Sequence, residues 1–172
     1  GGADSDNPIA LPTIIGKESF IVAQDVQLVI FKLANEDYGL PIQKVQEINR
    51  MVPVTKLPQT PEFMEGIINL RGRVIPVVDL RKRFGLTAKE HEEDTRIMII
   101  DINGQTVGII VDAVNEVVQM PGASIDPPPP TLILEAQYIE GIGKMDDRLV
   151  ILLNIDRILT SQEAIQLKQA AQ

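Results

Sequence analysis

A repeat restricts this fold more than any single motif. Gln27–Met51 set beside Thr95–Met120 gives the same order: strand, polar turn, Gly39 or Gly108, an apolar pair, then Val45-Gln46-Glu47 or Val114-Asn115-Glu116. Phe63–Phe84 set beside Tyr138–Leu159 continues the match. Glu65-Gly66-Ile67 answers Glu140-Gly141-Ile142, and Arg73-Val74-Ile75-Pro76-Val77 answers Arg148-Leu149-Val150-Ile151-Leu152. Asp79-Leu80-Arg81 faces Ile155-Asp156-Arg157 with a small shift. At an offset of about 70 residues, one supersecondary unit is used twice. About five short strands per half suit a small antiparallel barrel, which closes its own edges. A unit of ~65 residues buries too little surface to be comfortably stable alone. The halves are therefore expected to share an apolar seam and to exchange strands.

The most regular stretch within the repeat is Glu62–Phe84, EFMEGIINLRGRVIPVVDLRKRF. It reads as a strand around Ile67-Ile68, a polar knuckle from Asn69 to Arg73, and a second strand from Val74 to Leu80. Gly72 supplies the positive φ that a tight hairpin demands. Arg71 and Arg73 sit at the bend. They are either solvated arginines on a plain hairpin, or part of a rigid tip that presents Asn69 and Arg71 to another protein. In the second half this knuckle, Asn69-Leu70-Arg71-Gly72, has become Lys144-Met145-Asp146-Asp147. A duplicated scaffold with unequal tips suggests two different binding surfaces.

The remaining elements follow in order. Residues 1–24 carry Gly1-Gly2, two prolines and no sustained period, and read as a mobile tail whose opening glycines look like a cloning remnant. Ile14-Ile15 and Phe20-Ile21-Val22 are apolar enough to dock. Gln27–Leu33 is a strand, and Tyr38–Pro41 returns after a polar turn. Apolar positions 42, 45 and 48 suit one helical turn or a bent strand. Met51–Leu57 is a candidate strand broken by Pro53, and Thr60 can cap a short helix at Pro61–Met64. Leu80–Phe84 adds a helical turn ended by Gly85. Thr87–Asp94 is an acidic connector. Thr95–Asp101 and Gln105–Val114 form a hairpin across Asn103-Gly104, and Val117–Met120 extends the sheet. Asp126–Pro130 reads as an extended polyproline crossover on the surface. Tyr138–Lys144 and Leu149–Asn154 pair over Met145–Arg148, Ile155–Leu159 repeats the turn at Leu80–Phe84, and a closing helix runs from Ser161 to about Ala171. The division is a tail (1–24), a first half (25–86), a connector (87–94), a second half (95–160) and a C-terminal helix (161–172).

Composition narrows the function. With 44% apolar residues but four Phe, two Tyr and no Trp, the core must be filled by Ile, Val and Leu, which favour strands. A net charge of −8 would be repelled by a phosphate backbone, so no nucleic-acid partner is expected. Arg71, Arg73, Arg81, Lys82 and Arg83 form a possible basic patch for an acidic partner, or else a solvated tip followed by a helix. No cysteine is present, which removes disulfides, thiolate metal sites and thiol nucleophiles and fits a reducing compartment. No apolar run approaches the ~20 residues of a membrane span and no signal peptide opens the chain, so a cytoplasmic protein without direct membrane insertion is expected. His91 is the single histidine, set in a charged connector, and HExxH, GxSxG and P-loop patterns are absent. Asp146-Asp147 is turn chemistry, and Gly141-Ile142-Gly143 lacks the setting of a dinucleotide site. No catalytic, cofactor or metal residues are expected, and an interaction module fits better than an enzyme.

The segments EGIINLRGRVIPVVDLRKRFG, YGLPIQKVQEINRM, VGIIVDAVNEVV and YIEGIGKMDDRLVILLNIDRIL together resemble the CheW family of bacterial chemotaxis coupling proteins. The likeness runs from about Asp25 to Leu159, and the NLRG core with its upstream Glu-Gly is its most diagnostic part. The resemblance implies a mainly all-β fold: two intertwined five-stranded SH3-like barrels with short helices and a C-terminal helix. It implies a non-enzymatic adaptor without cofactors, bridging the regulatory domain of the histidine kinase CheA to the cytoplasmic tips of methyl-accepting chemoreceptors, and recruited to membrane receptor arrays. It also implies that Asn69, Arg71 and Gly72 are the receptor-coupling element, with Val45, Glu47 and Gly66 in the same receptor-binding group. Ile42, Val114, Glu116 and Val117 are placed on a kinase-facing or groove surface. For Gly39, Gly66 and Gly108 backbone geometry is the competing reading, and for Val45, Val114 and Val117 it is core burial. An isolated regulatory domain of CheA, which shares the fold, and relatives that serve surface motility are the alternatives; the tail and the closing helix favour the free-standing protein.

Overall fold

The computed structural model describes residues 24–129 and 137–170. Eleven strands are present in chain order: β1 Val26–Leu33, β2 Glu36–Pro41, β3 Val45–Arg50, β4 Met64–Leu70, β5 Arg73–Asp79, β6 Arg96–Ile102, β7 Gln105–Val111, β8 Ala113–Met120, β9 Ile125–Asp126, β10 Ile139–Met145 and β11 Arg148–Leu153. Two helices join them, α1 Leu80–Arg83 and α2 Ser161–Ala170. The protein is mostly β, in two sheets. One is six-stranded, ordered β8-β1-β2-β11-β10-β9; the other is five-stranded, ordered β3-β6-β7-β5-β4.

Each sheet mixes the two sequence repeats. The hairpin β1-β2 lies among strands of the second repeat, and the hairpin β6-β7 among strands of the first. The joints are parallel: β2 on β11, with Gly39 opposite Leu152, and β5 on β7, with Val77 opposite Gly108. At these joints an added side chain would crowd its neighbours. A Cβ on Gly39 would lie 3.2 Å from Leu152 and Val150, and one on Gly108 would lie 3.0 Å from Ile97.

The sequences of β1 and β6 explain why both faces of each strand are covered. In β1, Leu28 and Ile30 enter a core private to the six-stranded sheet, with Met120, Ile125, Val150 and Leu152. Val29, Phe31 and Leu33 point the other way, into a seam shared by both sheets. In β6, Ile97 and Ile99 enter the private core of the five-stranded sheet, while Met98, Ile100 and Ile102 enter the same seam. A near-continuous apolar run is what a strand buried on both faces requires.

Two partly buried ionic joints hold the exchange in place. Asp112, at the crossover from β7 to β8, accepts the Ala34 N–H at 2.8 Å and a two-pronged contact from Arg81, Nε and Nη2 each at 2.8 Å. Burial pushes the Asp112 carboxyl up, but the bond from Arg81 and the Ala34 N–H outweigh it and hold it below the ordinary value. In the twin position Asp156 accepts the Asn103 N–H at 2.9 Å and pairs with Lys44 at 2.8 Å. The charges have changed places between the halves, yet each joint ties a hairpin turn, a crossover and a post-hairpin turn together.

Several local expectations change. Residues 42–48 are both a 3-10 turn (Ile42–Lys44) and a strand. Met51–Leu57 is not a strand; Thr55 alone bridges to Ile67. Pro61–Met64 is a single turn rather than a helix, because Met64 is drawn into β4 opposite Val78, and Thr60 bonds back to the Leu57 carbonyl instead of capping. The strand at Val117–Met120 begins at Ala113 and joins β1, leaving the hairpin that precedes it. Six strands stand where five were expected, because Ile125–Asp126 pairs with β10. Asp126 belongs to that strand, Pro127–Pro129 are irregular, and Pro130 lies outside the described residues, as do Ala171 and the tail before Gln24. The basic patch is not one surface. Arg81 turns to Asp112, Lys82 to Glu65 at 2.6 Å and Arg83 to Glu163 at 3.0 Å, since a charge partly buried beside the seam needs a partner.

The register shift between Met64 and Gly66 creates a demanding position. Gly66 has φ +149°, and a Cβ there would lie 2.1 Å from the Thr55 carbonyl oxygen. Gly66→Ala is expected to cost roughly 2–3 kcal/mol through backbone collision and strain. In urea unfolding the midpoint should fall with an unchanged slope; an unchanged midpoint would show that the Thr55 bridge yields freely.

Candidate binding tips at the sheet ends

The tip of the five-stranded sheet is built by a two-residue turn. Leu70 pairs with Arg73, and Arg71 and Gly72 between them both have positive φ, 53° and 88°. Such turns match the twist of the flanking strands. Asn69 secures it, its Oδ1 accepting the Gly72 N–H at 2.8 Å. Arginine in a left-handed conformation is uncommon and costs about 1 kcal/mol, so the turn holds this side chain in place against a local preference.

Arg71 Nη2 donates to Glu47 Oε2 at 2.5 Å. Glu47 lies on β3, at the opposite end of the strand order from β4, so the ion pair ties the β4–β5 turn to that outer strand. Arg71 remains 68% exposed in its side chain even with this bond made. Asn49 donates to the other Glu47 oxygen at 3.0 Å. These two bonds, Asn49 first and Arg71 second, hold the Glu47 carboxyl below the ordinary value. Thr106 on β7 gathers Arg73 at 3.3 Å and Gln46 at 3.5 Å.

The six-stranded sheet repeats the arrangement with altered chemistry. Asp37 stands where Thr106 does, Asn115 where Gln46 does, Arg148 where Arg73 does and Glu116 where Glu47 does. Asp37 accepts from Lys32 at 2.9 Å, Asn115 at 3.4 Å and Arg148 at 3.5 Å. Asp146, at φ 50°, occupies the place of Arg71, so Glu116 pairs with Arg148 instead.

Exposed apolar side chains follow these charges in the chain. Ile48 (39% exposed) comes after Glu47 and Val74 (48%) after Arg73; Val117 (50%) comes after Glu116 and Leu149 (60%) after Arg148. The four are two repeat-related pairs. Glu47, Asn69, Arg71 and Gly72 thus meet at one tip. Glu116 and Val117 belong to the other. Ile42, Val45 and Val114 are half-buried against the seam between them. Gly66 is buried beneath Thr55 and offers no side-chain surface. Sequence reading passed over Ile48, Val74, Arg148, Leu149, Asp37 and Thr106. The repeat alignment pairs Ile48 with Val117 and Val74 with Leu149, and that signal could have found them.

Because a depressed carboxylate gives up its stabilisation only as pH falls through its folded value, the Glu47 pair should persist through mildly acidic conditions. Asn49→Ala is expected to raise the Glu47 titration midpoint toward the ordinary value, followed by carboxyl-carbon NMR. A midpoint that does not move would assign the depression to Arg71 alone.

A sequence profile of the CheW-like domain matches residues 27–163. Chemotaxis protein CheW of Klebsiella aerogenes is 37% identical over 138 residues, covering 80% of this chain and 83% of that protein. Chemotaxis protein CheW of Helicobacter pylori is 37% identical over 134 residues, covering 78% and 81%. The crystal structure of the scaffolding protein TtCheW from Thermoanaerobacter tengcongensis superposes with a TM-score of 0.75 at 46% identity, covering 80% of this chain and 94% of that one. Matched in sequence across both repeats and in fold across both sheets, the chain belongs to the CheW-like family of chemotaxis scaffold proteins.

Proposed function

We propose that the protein is a non-enzymatic adaptor that couples the cytoplasmic tips of methyl-accepting chemoreceptors to the regulatory domain of the histidine kinase CheA. It acts in the cytoplasm, at membrane receptor arrays. The observation that carries this reading is the pair of unlike tips on one scaffold. Each has an ion-paired arginine and two exposed apolar residues, but one presents Arg71 and the other Asp146 at the same turn position.

The receptor surface comprises Val45, Glu47, Asn69, Arg71 and Gly72, widened by Ile48 and Val74. Arg71 suits an anchor because a guanidinium forms forked hydrogen bonds and packs flat against apolar groups. Its left-handed backbone and its bond to Glu47 fix it before a partner arrives, which lowers the ordering cost of binding. Gly66 serves this surface indirectly, by allowing β4 to bulge against Thr55. The kinase surface comprises Glu116 and Val117 with Leu149, and Ile42 and Val114 at the seam margin. Signal passes by a change in the relative geometry of the two bound partners, with no covalent step in the adaptor.

Arg71→Glu sets two carboxylates against each other at the first tip. Co-sedimentation with receptor-bearing membranes should weaken about tenfold, while thermal unfolding shifts by no more than about 2 °C, as expected of an exposed pair. An equal loss of stability would make Arg71 part of the scaffold. Val117→Asp should weaken capture of the CheA regulatory domain by about tenfold and spare the receptor. If both variants lose both partners alike, the two-surface reading fails.

A further inference from the structure

One face of β3 carries positive charge that the described chain does not answer. β3 pairs with β6 so that Ile48 stands opposite Met98 and Arg50 opposite Arg96. Residues directly opposite share a face of the sheet, with Cβ atoms about 5 Å apart. Two guanidinium side chains therefore leave the sheet side by side, and like charges so placed are destabilising. Arg50 is exposed and, among the described residues, makes no side-chain hydrogen bond or ion pair. Arg96 donates only to backbone carbonyls, those of Glu93 at 2.7 Å and Thr95 at 3.0 Å. The acid of β3, Glu47, does not neutralise them. With Asn49 it stands on the other face, opposite Ile99 and Ile97, and is held there by Asn49 and Arg71.

The scaffold does not require this pair. In the repeat, Arg50 and Arg96 answer to Gln119 and Gln27, which are themselves paired, β8 against β1. One sheet thus has two neutral amides where the other has two cations. Elsewhere the cations are matched: Arg71, Arg81, Lys82, Arg83 and Arg148 each have a carboxylate partner. The face also holds an apolar group. Ile48, 39% exposed, precedes Arg50 by two residues on the same side of an outer strand. That spacing is about 7 Å along the strand.

We infer that Arg50 and Arg96 clamp a carboxylate on an acidic protein segment whose neighbouring apolar side chain meets Ile48. Charge complementarity selects the partner, since a guanidinium makes forked hydrogen bonds to carboxylate oxygens. Ile48 selects a polypeptide over a small anion, which would use the arginines alone. A net charge of −8 disfavours nucleic acid. Because Ile48 widens the proposed receptor surface, the segment is assigned to the receptor tip. That assignment rests on the proposed function, whereas the clamp itself does not.

A short synthetic peptide of alternating glutamate and leucine, titrated into the full chain, tests the clamp. It should shift the Arg50 and Arg96 Nε–Hε NMR signals together with the Ile48 methyl signals, and rising salt should weaken the response. The glutamine–leucine counterpart and inorganic phosphate should leave the Ile48 methyls in place. Arg50→Gln with Arg96→Gln installs the amide pair of the other sheet and should abolish the Ile48 shift; Arg50→Gln alone is the second variant should the pair disturb folding. An equal response to the neutral peptide, or none at the arginines, overturns the clamp. Phosphate that moves Ile48 as far as the acidic peptide does makes this a small-anion site and overturns the segment. Co-sedimentation of the double variant with receptor-bearing membranes should weaken about tenfold, with capture of the CheA regulatory domain unchanged. Unchanged sedimentation overturns the receptor assignment. A native chain that sediments with no receptor counts against the proposed function, and the peptide titration then decides the clamp by itself.

Discussion

Everything in this fold depends on two strands that are apolar on both sides. β1 and β6 each divide their side chains between a private core and a common seam. Neither face can be left open, so neither hairpin is stable within its own repeat alone. Exchange follows: each hairpin completes the sheet of the other repeat, and the seam closes over the backs of both. At the parallel joints Gly39 and Gly108 leave room for the neighbouring aliphatic side chains to pack. The hydrophobic term supplies the driving force, since aliphatic side chains contribute in proportion to the area they remove from water.

The polar interactions serve position more than stability. The Asp112–Arg81 and Asp156–Lys44 joints each satisfy a turn N–H and a crossover charge that would otherwise be stranded. Between the halves the acidic and basic partners trade places while the joint persists, so what both halves keep is the tie and not the residue. Asp79 is a further case: its carboxylate caps α1, accepting from Arg81 and Lys82. Burial, and then the neighbouring Glu65, push its pKa up against those two N–H groups. A carboxylate kept at such a site marks a helix start whose geometry matters more than its charge.

The tips diverge where the cores cannot. Core positions must fill a common volume, whereas the turn positions Arg71 and Asp146 face solvent and are free to differ. Equal scaffolds thus carry unequal tips, with Arg71 and Asp146 held in the same left-handed conformation at matching turn positions.

Much of this was legible in the residues. The repeat, the hairpins over Arg71-Gly72 and Asn103-Gly104, the α1 turn ended by Gly85 and the pairing of Glu47 with Glu116 all follow from local spacing and turn chemistry. So does the resemblance that named the family. What the residues alone did not decide was which strand pairs with which. An apolar run buried on both faces has no period to reveal its neighbours, so β8 was read as an extension of its own hairpin when it crosses to β1. The Pro61–Met64 turn looked helical because local propensity does not register the pull of Val78 across the sheet. Five consecutive-looking basic residues looked like a patch until three of them turned inward to Asp112, Glu65 and Glu163. Sequence determined the parts and their tips, because turns and alternation act within a few residues. Tertiary structure decided the exchange and the ionic joints, because those depend on partners between 31 and 112 residues away along the chain, brought close only when the seam forms.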